Sequence, residues 1–256
     1  MRHPANVPAA TIDYRNTGIG VRDDIVASQT RACRSLAAPG TWWTGAERVA
    51  IAREVRAARR CAWCAERKAA LSPYAVSGTH DAATDLRPSI VDAVHRVVTD
   101  PGRLSRRWAG EVMAAGVSDA HLVELVSVVC TVMLIDGFAR TIGADPPPLP
   151  EPLAGDPSRR RPSEAVDEDY FVPTIPYTVG QRPELALYEP DAFVPNVGRG
   201  LSLVPDAVRS AKDLMLAHYV QYAQVVTDYE PPDRPISRSQ MELVAARTSA
   251  RNDCFY

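Results

Sequence analysis

The chain has 256 residues, a net charge of −2, 23% charged residues and 46% hydrophobic residues. This length suggests one large domain or two small ones. The composition is that of a soluble globular protein, which argues against a disordered, collagen-like or coiled-coil chain. The near-neutral charge provides no electrostatic patch for nucleic acid or for an anionic membrane surface, so we expect neither as a partner.

The five cysteines are too few for a disulfide scaffold in a chain of this length. Residues 1–16 lack the apolar segment of a signal peptide. The longest apolar run, 122–135, carries Glu124 and is too short to span a bilayer. We therefore expect a cytoplasmic protein, in which a CxxC pair is more typical of redox or metal chemistry than of a structural disulfide.

The predicted elements are all helices. In chain order they cover residues 23–36, 45–60, 88–98 and 119–142, and helical composition returns over 186–256. Thr44 and Glu47 form a capping box before the second helix. Pro88 opens the third, and Ser118 and Gly143 bound the fourth. No alternating pattern is long enough for a credible strand, so the predicted fold class is all-α.

Composition also divides the chain into three parts. Residues 1–145 and 186–256 are two helical units. Residues 146–185 are dense in proline and charge, as expected for a linker, because proline lacks the backbone donor and disfavours helix in the residue before it.

The two units contain an internal similarity. Ser237 and Gln240 form a second capping box, and Ser237 precedes Cys254 by seventeen residues, as Thr44 precedes Cys61. An aromatic residue stands two positions after each of these cysteines. We interpret 44–63 and 237–256 as two copies of one unit. The alternative is two unrelated helices, rich in Ala and Arg, that each end at a cysteine.

The Cys61-Ala-Trp-Cys64 motif lies at the junction of two helical segments. A helix N-terminus stabilises a thiolate through its free amides and dipole, and Arg59, Arg60 and Arg67 add positive charge. The spacing also allows the two sulfurs to form a disulfide. Zinc is a competing interpretation, disfavoured because no second CxxC or CxxH supplies further ligands. A buried pair without chemistry is the third.

The segments TGAERVAIAREVRAARRCAWCAERKAAL and SDAHLVELVSVVCTVMLIDGFARTIG resemble the alkylhydroperoxidase D/carboxymuconolactone decarboxylase-like superfamily. The resemblance covers about residues 41–143 and, less completely, 190–256. It implies an all-α, tandem, oligomeric protein that reduces hydroperoxides with an external dithiol reductant and without a metal or organic cofactor. In that family a Glu lies twelve residues before the first Cys and a His four residues after the second. The second Cys attacks the peroxide, the first resolves, and Glu and His relay protons.

In the first unit the resemblance places Cys61 at the resolving position and Cys64 at the attacking position. Val49 occupies the Glu position and Lys68 the His position. The first unit is therefore predicted to keep both sulfurs and to lack the proton relay.

Other candidate relay residues are out of the family's register. Glu47 and Glu54 lie near the motif in sequence, and His80 is close enough along the chain to replace the missing His. His95 lies on a predicted helix, where we expect a surface or satisfied core histidine rather than a catalyst.

In the second unit Glu242 lies twelve residues before Cys254, so the resemblance assigns Glu242 to the relay and Cys254 to the resolving position. The attacking position would follow Tyr256. We hypothesise that a UGA codon follows and is read as selenocysteine, because a selenol is the better peroxide nucleophile. A true truncation and a sequencing error are the alternatives. Helices of an incomplete unit are expected to expose apolar faces and to be marginally stable unless the first unit or an oligomer covers them.

The predicted function is thiol-dependent, or selenol-dependent, reduction of hydroperoxides, with Glu242, Cys254, Cys61 and Cys64 as the catalytic residues. The predicted partners are the hydroperoxide, an external dithiol reductant and further copies of the chain. Two alternatives remain: a non-catalytic scaffold, and a decarboxylating lyase of the same superfamily, which does not require a CxxC.

Overall fold

A computed structural model describes residues 12–189, 196–220, 224, 227, 229–232, 234–252 and 254. These residues form ten α-helices. They are α1 (Asp23–Ala37), α2 (Gly45–Ala58), α3 (Ala62–Ala69), α4 (Pro88–Thr99), α5 (Arg106–Ala114), α6 (Asp119–Thr141), α7 (Tyr177–Gly180), α8 (Asn196–Arg199), α9 (Pro205–His218) and α10 (Arg238–Arg251). The only β-type pairing among the described residues is an isolated bridge between Val166 and Thr174. The predicted all-α class is confirmed.

The main core lies where α2, α4 and α6 pack against one another. Their buried apolar residues include Ile51 and Val55 from α2, Val94 from α4, and Leu125 and Val129 from α6. Burial of this apolar surface is the main favourable contribution to folding. The three helices therefore form a rigid support for the loops between them.

Helix α6 is long and apolar enough, by length and composition, to cross a membrane, although 56% of its most apolar window is buried inside the protein. It also carries two buried carboxylates. Glu124 accepts from the backbone N–H of Trp42 at 2.6 Å, and Asp136 accepts from Arg56 at 2.8 and 3.0 Å. A core helix of a soluble protein passes the same test, so this feature is weak evidence for a membrane span. The helix predicted over 119–142 is confirmed, with its last residue at Thr141. The apolar run 122–135 was expected to be too short for a bilayer, but it lies within this helix of 23 residues.

The proline-rich segment 146–185 is irregular apart from α7 and the Val166–Thr174 bridge, and it lies against the first helices. Its Leu153 N–H donates to the Ala37 carbonyl at 2.8 Å and its Arg159 N–H to the Thr41 carbonyl at 2.8 Å. Arg161 forms an ion pair with Asp119 on α6 at 2.7 Å. The segment is therefore bound to the helical core rather than merely spanning between two units.

The C-terminal helices differ in how they pack. Helix α9 packs against α1 and α6, whereas α10 contains no buried residue. Leu243 and Val244 on α10 are 69% and 61% exposed. The exposed apolar residues expected for the second unit are present, and the division into tandem units stays a prediction.

Both predicted capping boxes are confirmed. Thr44 Oγ1 accepts from the Glu47 N–H at 3.3 Å while Glu47 accepts from the Thr44 N–H at 2.9 Å. Ser237 and Gln240 make the equivalent bonds at 3.3 and 2.8 Å. Gly143, at φ +74°, follows α6 as its predicted stop. The local helix signals in the sequence thus define these helix ends well.

We predict that Thr44→Ala lowers the free energy of unfolding by about 1 kcal/mol, because α2 loses its cap and α2 is part of the main core. Ser237→Ala is the matched control, since α10 buries no residue and its cap contributes little to core stability. The free energy of unfolding is measured by denaturant titration with tryptophan fluorescence as the signal. The signal reports on the main core because all four tryptophans lie within residues 42–108. An equal loss in both variants would contradict the prediction.

Candidate functional site

The two cysteines of the CxxC motif lie at the start of α3. Cys61 is the N-cap residue of this helix and Cys64 lies in its first turn. Both are buried, at 3% exposure. Asp81 accepts from the Ala62 N–H at 3.0 Å, so the loop after α3 returns to the beginning of that helix. The predicted junction of two helical segments at the motif is confirmed.

Two histidines approach the sulfurs. His80 Nδ1 lies 3.6 Å from Cys61 Sγ and 3.4 Å from Cys64 Sγ. His95 Nδ1 lies 3.3 Å from Cys64 Sγ. The four ligand-type atoms all lie within 4.8 Å of one another. His80 comes from the loop between α3 and α4, and His95 from α4, so the site forms only when these segments pack together.

His95 is held by a buried carboxylate. Its Nε2 lies 3.1 Å from Oε2 of Glu54 on α2, and both side chains are completely buried. The other oxygen of Glu54 accepts from the Ala83 N–H at 2.9 Å and from the Thr84 hydroxyl at 2.6 Å. A carboxylate accepts hydrogen bonds, so Nε2 carries the ring proton and Nδ1 presents its lone pair to Cys64. Burial lowers the pKa of His95 despite Glu54, which favours this neutral ring.

His80 has an equivalent support. Its Nε2 lies 2.9 Å from Asp92 Oδ1, which also accepts from Arg67 at 2.6 Å. Burial opposes ionisation of Asp92, but the hydrogen bonds from His80 and Arg67 outweigh it and lower the pKa of this carboxyl. The Trp63 ring packs 4.4 Å from the His80 ring, and the Arg67 guanidinium lies 4.1 Å from the Trp63 centroid. The His80 ring is therefore fixed with Nδ1 toward the sulfurs.

The two thiols differ in acidity. Burial opposes ionisation of Cys61, but hydrogen bonds from the backbone amides of Asp81 and Cys64 lower the pKa of Cys61. Burial, followed by the neighbouring Cys61 sulfur, raises the pKa of Cys64 to about 12. Cys61 is therefore the thiol that ionises more readily, and Cys64 holds its proton until a base removes it.

A cleft of about 390 Å³ opens beside His80. Trp63, Leu86, Pro88 and Val91 form much of its wall, and His80 and Asp92 supply polar groups. Gly78 is required here, because a Cβ at this position would lie 2.6 Å from the Trp63 ring. The cleft gives an apolar molecule a route to the imidazole that contacts both sulfurs.

The structure brings together only part of the predicted catalytic set. Cys61 and Cys64 lie in the cluster. Glu242 lies on α10, where it accepts from the Tyr219 hydroxyl and, at 2.5 Å, from Arg238 Nε. Cys254 is exposed. Within the described residues, neither Glu242 nor Cys254 belongs to the cluster around the Cys61–Cys64 pair.

The structure adds neighbours that two sequence interpretations did not consider. The prediction that the first unit lacks a relay followed the family's register, yet Glu54 and His95 form a carboxylate–imidazole pair beside Cys64. The argument against a metal site looked for a second short motif, whereas His80 and His95 bring two nitrogens to the sulfurs from separate segments. Lys68, at the family's His position, is exposed. His80, suggested as a replacement, does contact both sulfurs.

A sequence signal for these residues did exist. Glu54 lies on α2 among Ile51, Ala52, Val55 and Ala58, all of which are buried. A carboxylate at such a position must be paired, because an unpaired buried charge is strongly unfavourable. His95 stands in the same way among buried valines of α4. Ionisable residues on the apolar face of a helix were therefore the signal.

No family model matches the chain, and no curated protein or solved structure matches it either. The likeness to the alkylhydroperoxidase D-like superfamily therefore stays a resemblance carried by the motifs quoted above.

We predict that Glu54→Ala lowers the free energy of unfolding by about 3 kcal/mol. The substitution leaves the His95 ring N–H, the Ala83 N–H and the Thr84 hydroxyl without their acceptor, and each unsatisfied buried donor costs about 1–3 kcal/mol. Arg53→Ala is the control, since Arg53 is exposed and next to Glu54 on the same helix. We expect it to change stability by less than about 0.5 kcal/mol. Equal denaturation midpoints for the two variants would rule out a stabilising role for Glu54.

Proposed function

We propose that the Cys61–Cys64 pair reduces hydroperoxides and is regenerated by an external dithiol. The observation that carries the proposal is the chain of contacts from Cys64 Sγ to His95 Nδ1, at 3.3 Å, and from His95 Nε2 to Glu54, at 3.1 Å. A nucleophile with a base within reach, and a third group that orients the base, is the general arrangement of nucleophilic catalysis.

In the first step His95 takes the proton of the Cys64 thiol, and the sulfur attacks the terminal peroxide oxygen. A sulfur–oxygen bond forms, the peroxide O–O bond breaks, and sulfur supplies the two electrons. The alkoxide that leaves takes a proton from His95 and becomes the alcohol. Glu54 stabilises the imidazolium that exists between the two transfers. Because Cys64 retains its proton at neutral pH, a base at this position is required.

In the second step Cys61 attacks the Cys64 sulfenic acid. The S–O bond of the sulfenic acid breaks as the disulfide forms, and the hydroxyl leaves as water with the proton of the Cys61 thiol, which passes through the Nδ1 lone pair of His80. The CxxC spacing permits this bond, and the described structure has both cysteines in the free form that begins the cycle. An external dithiol then reduces the disulfide by exchange, in which the more acidic Cys61 is the better leaving thiol.

The cleft beside His80 supports an organic hydroperoxide as the substrate class. Its apolar wall would hold the alkyl group, while His80 and Asp92 lie at the polar end. Water and hydrogen peroxide have no apolar group to bind there, so the cleft favours a larger substrate.

Further parts of the proposal come from the sequence. We infer a cytoplasmic location, where thiols remain reduced, and assembly into a homo-oligomer, for which the exposed apolar residues of α10 offer one surface. Glu242 and Cys254 remain the proposed relay and resolving residues of a second unit. In support, the Glu242 carboxylate accepts a hydrogen bond from the Tyr219 hydroxyl and forms an ion pair with Arg238.

We predict that Cys64→Ser abolishes dithiol-dependent consumption of an organic hydroperoxide, because serine is a far weaker nucleophile. Cys61→Ser, assayed without added dithiol, should consume one equivalent and then stop, with a sulfenic acid on Cys64 that a dimedone probe labels. His95→Asn, which retains polarity without a base, should slow the reaction by about a hundredfold or more. Coupled consumption assays and peptide mass spectrometry measure these outcomes.

Cys130→Ser is the matched control, since Cys130 lies outside the cluster and is exposed; its activity should equal that of the wild type. Dimedone labelling of Cys61 in Cys64→Ser, with none on Cys64 in Cys61→Ser, would reverse the roles of the two sulfurs. Wild-type protein with no consumption above the Cys61→Ser, Cys64→Ser double variant would overturn the enzymatic proposal and favour a scaffold.

A further inference from the structure

The four atoms around the CxxC motif have the spacing of a tetrahedral metal site. Zinc binds sulfur at about 2.3 Å and imidazole nitrogen at about 2.0–2.1 Å. In a tetrahedron these bond lengths place sulfur and nitrogen about 3.6 Å apart. The three contacts between Sγ and Nδ1 atoms measure 3.6, 3.4 and 3.3 Å. A single ion at their centre would therefore reach all four atoms with small side-chain shifts.

The nitrogen ligands are oriented as metal ligands require. A histidine that binds a metal usually donates its other ring N–H to a carboxylate or carbonyl, which fixes the tautomer. His80 Nε2 contacts Asp92 at 2.9 Å and His95 Nε2 contacts Glu54 at 3.1 Å. Both rings thus present Nδ1 to the sulfurs. Two separate carboxylates thus each orient one histidine toward the sulfurs. A metal site requires both histidines, whereas a thiol pair without a metal does not.

We propose that the reduced protein binds one Zn²⁺ through Cys61 Sγ, Cys64 Sγ, His80 Nδ1 and His95 Nδ1. A set of two thiolates and two imidazoles in tetrahedral arrangement selects zinc among the common divalent ions. Two thiolates also neutralise the charge of Zn²⁺ inside a buried site. Four protein ligands leave no open position, so the ion has a structural or protective role rather than a catalytic one.

Zinc and peroxide compete for the same sulfurs. The bound ion occupies the lone pair of His95 that the proposed reaction uses as a base. Two thiolates, one hydroperoxide and two protons yield one disulfide, one alcohol and one water, and Zn²⁺ is released unchanged. Sulfur is oxidised and the peroxide reduced by two electrons. This release rests on the proposed function, whereas zinc binding itself does not.

Cobalt titration of the reduced, chelator-treated chain tests the site directly. Co²⁺ substitutes for Zn²⁺, and thiolate ligation gives a charge-transfer band and intense visible bands characteristic of a tetrahedron. We expect saturation at one Co²⁺ per chain and displacement of the cobalt by one equivalent of Zn²⁺. Addition of an organic hydroperoxide to the zinc form should then release the ion to a chromogenic chelator.

Variants separate ligands from neighbours. Cys61→Ser and Cys64→Ser should abolish the charge-transfer band or halve its intensity, and His80→Asn and His95→Asn should weaken cobalt binding at least a hundredfold. Asp92→Asn keeps a side chain of the same shape beside His80 Nε2 and should weaken binding by about 10–100-fold. Cys130→Ser and His121→Asn are controls outside the cluster and should bind as the wild type does. Circular dichroism shows whether each variant is folded.

Failure of the metal site and failure of the proposed enzyme give different results. Absence of the charge-transfer band in folded, reduced wild type overturns the zinc site, as does binding that His80→Asn and His95→Asn leave unchanged. Neither result concerns peroxide consumption. In a further outcome, the wild type shows the cobalt band and the ligand variants weaken it as expected, but the protein does not consume peroxide. This result supports the metal site and overturns only the release step.

Discussion

The hydrogen bond between Glu54 and His95 is the interaction on which the site depends. It joins α2 to α4 inside the main core, where both side chains are completely buried. It also fixes which ring nitrogen carries the proton. Without a carboxylate at this place, a neutral buried histidine could present either nitrogen to Cys64, and the sulfur would lose a defined acceptor. The same bond therefore contributes to packing, ring orientation and chemistry.

One tautomer serves two kinds of chemistry. A general base needs a free lone pair on Nδ1, and a metal ligand needs the same lone pair. His80 and His95 both present it, each through a carboxylate on Nε2. The disulfide of the proposed reaction and the proposed zinc ion exclude each other, because a disulfide removes both thiolate ligands. A single arrangement of six side chains accounts for both proposals.

The helix ends that depend on neighbouring residues were predicted correctly from the sequence. The Thr44 and Ser237 caps, the Gly143 stop and the start of α4 at Pro88 all depend on residues within a few positions of one another. The all-α class follows from these signals. The CxxC motif was also recognised locally. The sequence suggested His80 as a neighbour of the sulfurs but not His95, because His95 is thirty-one residues from Cys64 and reaches it only through packing of α3 on α4.

The loop between α3 and α4 shows why the family's residue spacing does not predict which side chains contact the two sulfurs. The register requires Glu and His at fixed distances along the chain, but here the loop brings the groups together. Asp81 holds the first turn of α3, while Ala83 and Thr84 hold Glu54. His80 directly precedes these anchors in the chain. The loop and the site therefore stabilise each other, since the loop supplies His80 and also holds the first turn of α3 and Glu54.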